Sequence, residues 1–261
     1  FSVGANLGIL FMYAVEQEWD EVDMMVRQFQ NTMMRVRYSS VPVVVAPHAM
    51  TLGGGCEMTM HSDIAQAAAE TYIGLVEVGV GLIPAGGGTK EMTLRVSEAF
   101  ESGDPELNAL QNALMTIATA KVATSAHEAI NLGLLRKTDR ISINAERQVA
   151  DAKEAVLELA NAGYTKPTPR TNIKVQGRTG LGSFYAGIHG MRMGNYISDH
   201  DLKIAKKIAY VMCGGDLSAP AEVSEQYLLD LEREAFVSLT GEKKTLERIQ
   251  SVINGGKAVR N

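Results

Sequence analysis

The sequence predicts an α/β fold followed by a helical C-terminal region. Strand and helix patterns alternate between Val41 and Ala68, whereas residues 182–261 carry helical patterns only. The composition agrees with this prediction, because 46% of the 261 residues are hydrophobic and 21% are charged, as in ordinary globular proteins. The chain is long enough for one large domain or two small ones with a real core.

Several classes of function are disfavoured by composition. The net charge of −5 and the absence of a basic block argue against nucleic-acid binding. No apolar run reaches the roughly 18 residues of a transmembrane span. The two cysteines, Cys56 and Cys213, fit a reducing compartment, so we predict a cytoplasmic location. Cys56 is interpreted as a small buried filler, since no histidine partner is evident for a nucleophile.

The N-terminal part begins with a small-residue turn at Gly4–Asn6, followed by a helical pattern. An amphipathic helix is predicted from Trp19 to about Tyr38, and its methionines are assigned to the core instead of an acyl pocket. The further predicted elements are a strand at 41–47, a helix at 54–61, a strand at 63–68, a helix at 89–96, a polar loop at 101–108, a capping box at 125–128, a short strand within 134–141 and a helix at 145–162.

Residues 164–181 are rich in proline, glycine and basic residues, which predicts a linker or extended surface arm. Helices are predicted beyond it at 182–193, 198–212, 221–240 and 242–253. The predicted organisation is therefore a core at 1–163, the linker at 164–181 and a helical region at 182–261.

The candidate site combines two glycine-rich turns with two glutamates. Gly53, Gly54 and Gly55 stand where a strand meets a helix start, where bare backbone N–H groups suit negative charge. Glu57 follows in the first helical turn, where the helix dipole favours an ionised base. Glu77 lies among valines, where desolvation raises a carboxyl pKa and suits a proton donor.

Structural explanations compete with each of these assignments. A glutamate in a first helical turn is usually just a dipole partner, whereas a lone carboxylate among valines is costly unless it is exposed or used. His48 and His61 flank the site, and both are interpreted as structural. His127, His189 and His200 are expected at the surface, and no cluster has the spacing of metal ligands.

Three motifs in this order, FSVGANL, TLGGGCE and GLVEVGVGLIPAGGGT, resemble the crotonase (enoyl-CoA hydratase/isomerase) family. The C-terminal helices are also similar to those of the family. The details most resemble the C-terminal hydratase region of bacterial multifunctional 3-hydroxyacyl-CoA dehydrogenase/enoyl-CoA hydratase proteins. The resemblance implies a crotonase-like spiral of ββα units, truncated at its N-terminus, with trailing helices used for oligomerisation.

The resemblance also implies roles for individual residues. Ala5 and Gly54 match the backbone oxyanion-hole donors to a thioester oxygen. Glu57 and Glu77 match the two glutamates that add water across the double bond of a trans-2-enoyl-CoA in fatty acid β-oxidation. Further substrate contacts are predicted at five positions, Gly53, Gly55, Gly79, Pro84 and Gly86. No cofactor is expected, since coenzyme A arrives as part of the substrate and NAD would belong to an upstream domain.

The expected partners are the acyl-CoA substrate and either further copies of the chain or other β-oxidation enzymes. Two positions depart from the family pattern, since Val3 is larger than usual and Asn6 replaces an Asp. The chain begins within the first motif, which places the preceding strands and the coenzyme A phosphate contacts upstream of Phe1. We therefore expect residues 1–261 alone to be weakly active or inactive. The alternatives are an enoyl-CoA isomerase and a non-catalytic assembly module.

Overall fold

The computed structural model of this protein describes residues 1–101, 106–256 and 259–261, so residues 102–105 of the predicted polar loop lie outside the described part. The fold is mixed α/β. The α-helices are α1 (Leu7–Glu16), α2 (Trp19–Arg37), α3 (Gly54–His61), α4 (Gly88–Glu98), α5 (Glu106–Ala118), α6 (Ala126–Asn131), α7 (Gln148–Asn161), α8 (Gly177–Met193), α9 (Asp199–Met212), α10 (Glu225–Thr240) and α11 (Lys243–Ile253). The strands are β1 (Val44–Val45), β2 (Met50–Leu52), β3 (Ile64–Ala68), β4 (Tyr72–Gly74), β5 (Val122–Ala123), β6 (Arg140–Ser142), β7 (Ile173–Val175) and β8 (Ala221–Val223).

Two ββα units build the centre of the molecule. Strands β1 and β2 precede α3, and strands β3 and β4 precede α4. The first strands of the two units pair in parallel, as do the second strands, in which Thr51 lies opposite Ile73. Strand β6 extends the first sheet and β5 extends the second. Because corresponding strands pair, α3 and α4 pack together, and the glycine-rich turns at their N-termini lie side by side.

Strand β1 is much shorter than the predicted strand at 41–47. Pro42 and Pro47 flank it, and proline has no N–H for a ladder hydrogen bond. Val43 bonds instead to Asp63, whose carboxylate accepts from the Val43 N–H at 2.8 Å. The apolar run therefore supplies buried side chains and only two ladder residues.

The main core is one cluster formed by both the ββα units and the C-terminal helices. Its members from the units include Met60, Ile73, Leu75, Leu82 and Ile83. Its members from α9 and α10 include Ile204, Ile208, Met212, Ala235 and Leu239. The C-terminal helices thus share one hydrophobic interior with the sheets.

Two predicted helix starts differ in detail. At α6 the Ser125 hydroxyl accepts from the Glu128 N–H at 3.1 Å, as a capping box requires. The Glu128 carboxylate, however, accepts from Thr124 instead of Ser125, so the reciprocal half of the predicted box is wrong. The helix predicted at 145–162 begins as a 3-10 turn, Ala145–Arg147, capped by Asn144, and continues as α7.

The second half of the predicted linker is regular structure. Strand β7 pairs antiparallel with β8, with Lys174 opposite Glu222, and α8 begins at Gly177. Ile173 and Val175 are buried in a small cluster with Leu94 and Leu228. The linker prediction is therefore corrected for residues 173–181, where alternating apolar side chains pack against α4 and α10. Within the described residues, no helix is both long and apolar enough to cross a membrane.

Candidate active site

The N-terminal segment and the glycine run at 53–55 meet at one point. Ser2 forms a parallel bridge with Thr51, and this pairing lays Gly4 against Gly54. A Cβ added to Gly4, whose φ is +101°, would lie 3.4 Å from the Gly54 nitrogen. Only glycine therefore suits position 4. The two turns predicted to carry oxyanion donors are neighbours in the structure.

The helix starts at these turns leave amide groups available. Gly53, with φ +54° and ψ −124°, turns the chain out of β2, and α3 begins at Gly54. Asn6 caps α1, since its side chain accepts from the Gly8 N–H at 3.0 Å. The Asn6 carboxamide thus provides the cap, with no need for an aspartate. The Gly54 amide, at the start of α3, has no partner within its helix. Ala5 lies one residue before the Asn6 cap of α1, and both Ala5 and Gly54 line the cavity described below.

Glu57 lies in the first turn of α3, with 3% of its surface exposed. Its Oε1 accepts hydrogen bonds from two backbone amides, those of Gly86 at 2.8 Å and Gly88 at 2.9 Å. These amides come from the second glycine cluster, at the start of α4. The arrangement holds the Glu57 carboxyl in one orientation.

Glu77 contacts the first glycine cluster, at Gly53. It is the first residue of a 3-10 turn, Glu77–Val80, which begins three residues after the end of β4 at Gly74. A Cβ on Gly53 would lie 3.0 Å from Glu77 Oε1, so the carboxyl packs on the bare backbone of that glycine. The other oxygen, Oε2, is buried and has no hydrogen-bond partner among the described residues. Such an atom is costly unless a ligand or water satisfies it.

Glu57, Glu77, Ala5 and Gly54 all line one cavity of about 470 Å³. A volume of this size accommodates a small-molecule ligand. Most of the wall is apolar, and it is formed by Val3, Leu7, Ile9, Leu10, Met25, Val26, Phe29, Val76, Val80, Leu82, Ala85 and Phe236. The structure therefore brings the two glutamates and both predicted oxyanion-hole residues to one largely apolar space.

The two carboxyls have unequal surroundings. Burial raises the pKa of Glu57 to about 7, although the Gly88 and Gly86 amides and the Lys90 charge oppose this rise. Burial raises the pKa of Glu77 well above its usual value, and the nearby Glu57 charge raises it further. The helix dipole was expected to favour the ionised form of Glu57, but desolvation outweighs the groups that favour this form, and the pKa is raised. The two amides that donate to Glu57 favour its ionised form, whereas Glu77 Oε2 has no such donor among the described residues, so Glu57 is the more acidic partner.

The five predicted substrate contacts divide into two groups. Gly53 and Gly86 line the cavity, whereas Gly55, Gly79 and Pro84 are not part of its wall. A Cβ on Gly55 would lie 2.7 Å from the Ser2 carbonyl oxygen, so this glycine permits close backbone packing. The Pro84 carbonyl accepts from the Thr89 hydroxyl at 2.8 Å and thereby supports the start of α4.

Several wall residues escaped the sequence interpretation. Met25 on α2 was assigned to the core with the other methionines, yet it lines the cavity, and so does Phe29 of the same helix. The Phe29 ring lies so close to Gly54 that a Cβ there would be 2.9 Å from its Cζ atom. Val22 and Met33 of the same helix are fully buried, as predicted. Helical spacing identifies the apolar face of α2 but does not separate core from cavity wall.

The buried groups near the site are structural. His61 Nδ1 donates to the Glu57 carbonyl oxygen at 2.7 Å, and Nε2 accepts from Lys90 at 3.1 Å. Burial lowers the His61 pKa, so the ring is neutral. Burial raises the pKa of the Cys56 thiol well above its usual value, as expected for a filler. His200, expected at the surface, is buried beside the Thr245 hydroxyl at 2.9 Å, so that expectation is wrong.

Residues 1–138 match the family model described as "Enoyl-CoA hydratase/isomerase". A Bacillus subtilis (strain 168) protein named "Probable 3-hydroxyacyl-CoA dehydrogenase" is 46% identical over 261 residues, covering 100% of this chain and 33% of that protein. A Rickettsia felis protein whose name includes "fatty acid oxidation complex trifunctional enzyme" is 25% identical over 253 residues, covering 97% of this chain and 32% of that protein. The chain thus spans about a third of the length of these relatives.

Solved structures share the fold. An enoyl-CoA hydratase from Rhodobacter sphaeroides 2.4.1 matches with a TM-score of 0.63 at 17% identity, covering 99% of this chain and 74% of that one. A carnitinyl-CoA dehydratase from Mycobacterium thermoresistibile matches with a TM-score of 0.62 at 15% identity, covering 96% and 72%. These likenesses confirm the predicted crotonase-like fold. Since the family model covers more than half of the chain, this protein belongs to the enoyl-CoA hydratase/isomerase family.

Proposed function

We propose that this chain is an enoyl-CoA hydratase, which adds water in syn fashion to a trans-2-enoyl-CoA and forms a 3-hydroxyacyl-CoA. One observation carries the proposal: the buried Glu57 and the partly buried Glu77, which differ in hydrogen bonding, line the same apolar cavity. Glu57, held by two amides, is suited to accept a proton from water. Glu77, with a raised pKa and an unpartnered oxygen, is suited to donate one.

The mechanism begins at the thioester carbonyl. In our proposal the amides of Ala5 and Gly54 donate to its oxygen and stabilise the enolate that forms during addition. Each such donor contributes on the order of 3 kcal/mol to transition-state stabilisation. Glu57 takes one proton from water as the oxygen bonds to C3, and the C2–C3 π electrons move into the enolate. Glu77 then gives its proton to C2, and a proton passing from Glu57 to Glu77 restores the pair.

The shape of the cavity supports an acyl chain as the substrate. Its apolar wall includes Leu82 and Phe236, which offer no polar group to a hydrocarbon tail. The buried Glu77 Oε2 gives the reacting end of the cavity its polar character. In this proposal coenzyme A enters as part of the thioester, and no separate cofactor takes part in the reaction.

Conservative substitutions test the proposal. Crotonyl-CoA hydration is followed by the loss of its enoyl absorbance for the wild type and for Glu57→Gln and Glu77→Gln. Each variant is expected to lower kcat about 100-fold or more, the usual contribution of a general acid or base. Glu70→Gln, at an exposed position, is the matched control. Because rates are compared as ratios, a weakly active chain still gives a result. Variants that retain the full activity of the wild type would contradict the proposal, whereas weak or absent activity of the wild type is already expected for residues 1–261 alone.

An isomerase remains the second candidate. Glu77 alone could carry a proton between two carbons, since its Oε2 has no partner within the described residues. A 3-enoyl-CoA substrate separates the two activities. An isomerase would convert this substrate and tolerate Glu57→Gln, whereas a hydratase would lose activity on crotonyl-CoA in that variant. A non-catalytic assembly module would convert neither substrate.

We also propose that the chain acts beside a 3-hydroxyacyl-CoA dehydrogenase in fatty acid β-oxidation. Support comes from the names of the Bacillus subtilis and Rickettsia felis relatives and from the third of their length that the chain spans. The hydratase product is the substrate of such a dehydrogenase. Adding that enzyme with NAD⁺ to the hydration assay should therefore produce NADH. Association with other copies or β-oxidation enzymes stays a prediction.

A further inference from the structure

A third buried carboxylate lies behind the candidate site. Glu232 on α10 is 0% exposed. Its Oε2 accepts from the Gly87 amide at 2.9 Å, and its Oε1 accepts from the Lys90 amide in a short hydrogen bond. Glu232 is not part of the cavity wall, so it does not touch a ligand bound there.

The amides at the start of α4 are divided between two carboxylates. Gly86 and Gly88 donate to Glu57, while Gly87 and Lys90 donate to Glu232. The donors to one carboxylate therefore alternate along the chain with the donors to the other. Any displacement of this turn that breaks the Glu232 bonds also moves the amides that hold Glu57.

The turn itself is tightly packed and depends on glycine. Gly87 has φ +106°, and a Cβ there would lie 2.7 Å from the His61 ring. Gln30 on α2 donates one side-chain N–H to the Ala85 carbonyl and another to the Leu229 carbonyl, both at 2.8 Å. Residues of both α2 and α10 thus hydrogen-bond to the segment that forms this turn.

Burying Glu232 is costly, because a carboxylate loses its hydration there. Burial raises its pKa well above the usual value, and the Glu57 charge adds to this rise, while the two amides and the Lys90 charge oppose it. The Lys90 ammonium bonds to Glu91 at 2.6 Å and Glu225 at 2.9 Å, not to Glu232. The partners of Glu232 are therefore the amides of the turn.

We propose that Glu232 is a positioning residue, which fixes the start of α4 so that the Gly86 and Gly88 amides stay directed at Glu57. The inference rests on the proposed function for its catalytic consequence. It gives α10, which lies outside the three motifs that identify the family and already contributes Phe236 to the cavity wall, a polar role at the site. Its role is to act through Glu57, without contact to the substrate.

Two substitutions separate position from charge. Glu232→Gln keeps the length of the side chain but offers one acceptor oxygen for two amides. Glu232→Asp keeps the charge and both oxygens but is one methylene too short. Each is expected to lower kcat on crotonyl-CoA about ten- to a hundredfold, the scale of a slight misplacement of a catalytic group. KM should change less than about twofold, since the cavity wall is intact.

Glu234→Gln is the matched control, because it removes the same charge from an exposed position on the same helix. This variant should behave as the wild type. Unchanged kcat in both Glu232 variants would overturn the inference. A defect in Glu232→Gln with full activity in Glu232→Asp would also overturn it, because a charge effect alone explains that pattern.

Amide hydrogen exchange tests the same inference without catalysis, so that its failure is distinct from failure of the proposed function. Both Glu232 variants should speed exchange at Gly86–Lys90 at least about tenfold, while exchange at β7 stays unchanged. Unchanged exchange at the turn would overturn the positioning role, whether or not the wild type hydrates crotonyl-CoA. If Glu232→Gln does not fold, Glu232→Asp alone decides both tests.

Discussion

At the scale of single residues, the Glu57–Glu77 pair consists of two carboxyls whose charged forms are disfavoured by burial. Two amides hold Glu57, yet burial still raises its pKa to about 7 from an ordinary 4.5. Glu77 is shifted in the same direction. A raised carboxyl pKa means that the folded state binds a proton more tightly than the unfolded state. Ionising these carboxyls at neutral pH should therefore lower the free energy of unfolding, which is a stability cost of the proposed function.

The consequence is a pH-dependent stability with a definite sign. Between pH 4.5 and about 7 the folded chain keeps a proton that unfolded Glu57 releases, so the free energy of unfolding falls as pH rises. This stabilising contribution is fully present below pH 4.5 and is lost above the folded pKa. The double variant Glu57→Gln/Glu77→Gln lacks it. We expect the variant to gain on the order of 3 kcal/mol or more relative to wild type between pH 4.5 and 8, since the Glu57 shift alone corresponds to about that much.

Urea denaturation at several pH values measures this difference. The control is Glu70→Gln/Glu154→Gln, which changes two exposed carboxyls and should keep a constant difference from wild type. If the double variant at the site also keeps a constant difference across this pH range, the two carboxyls do not have the raised pKa values described here.

At the scale of secondary-structure elements, helix α8 shows how packing compensates for poor local propensity. Five of its 17 residues are glycines, including Gly177 at its start. Glycine disfavours a helix by roughly 1 kcal/mol relative to alanine. The helix forms because Leu181, Phe184 and Ile188, spaced along one face, are buried in the core. Its stability therefore depends on tertiary contacts.

Three glycines of α8 can be replaced to test this account. A Cβ at Gly182, Gly187 or Gly190 would meet nothing within 4 Å. Each alanine variant should raise the free energy of unfolding by about 0.5–1 kcal/mol. Gly180→Ala is the contrasting variant, since its Cβ would clash with the Gln176 side chain, and it should destabilise. Chemical denaturation compares the four. Equal effects at all four sites would contradict the assigned packing.

The sequence predicts a helix or strand well when the residues that determine it lie within that element. Helix α3 runs from Gly54 to His61 as predicted, because the glycine turn and the apolar pattern both lie in that stretch. Strand β7 was missed because its pairing partner, β8, is distant in sequence. Glu232 was missed for the same reason: in the charged segment of α10 it resembles a solvated residue. Its acceptor role depends on amides 142 and 145 residues away.

At the scale of the whole molecule, a buried ionic network joins the ββα units to the C-terminal helices. Lys90 is fully buried, and its ammonium contacts Glu91 on α4 and Glu225 on α10. Arg37 on α2 pairs with Glu91, and Tyr38 donates to Glu225 in a short hydrogen bond. The network connects helices from both ends of the chain. Residues 1–163 and 182–261 are thus linked by ion pairs as well as by a shared core.

Lys90 is the centre of this network, so its removal should affect the stability of the whole molecule. Lys90→Met keeps the length of the side chain but leaves Glu225 without its buried cation. Removing one partner of a buried pair costs about 3–5 kcal/mol, because an uncompensated charge stays in the interior. Lys203→Met is the matched control, since Lys203 pairs with Glu242 at 2.5 Å but is 48% exposed. An exposed pair contributes at most about 1 kcal/mol.

Guanidinium denaturation, followed by far-ultraviolet circular dichroism, measures both variants. The Trp19 side chain, which lies against Gly241 near the end of α10, gives a second probe by fluorescence. The two probes should report the same transition for Lys90→Met, with a free energy of unfolding lower by the amount expected for a buried pair. Should Lys90→Met cost no more than Lys203→Met, the ionic network would not link the two parts of the chain. The shared hydrophobic core and the hydrogen bonds of Glu232 and Gln30 would then hold α10 against the candidate site.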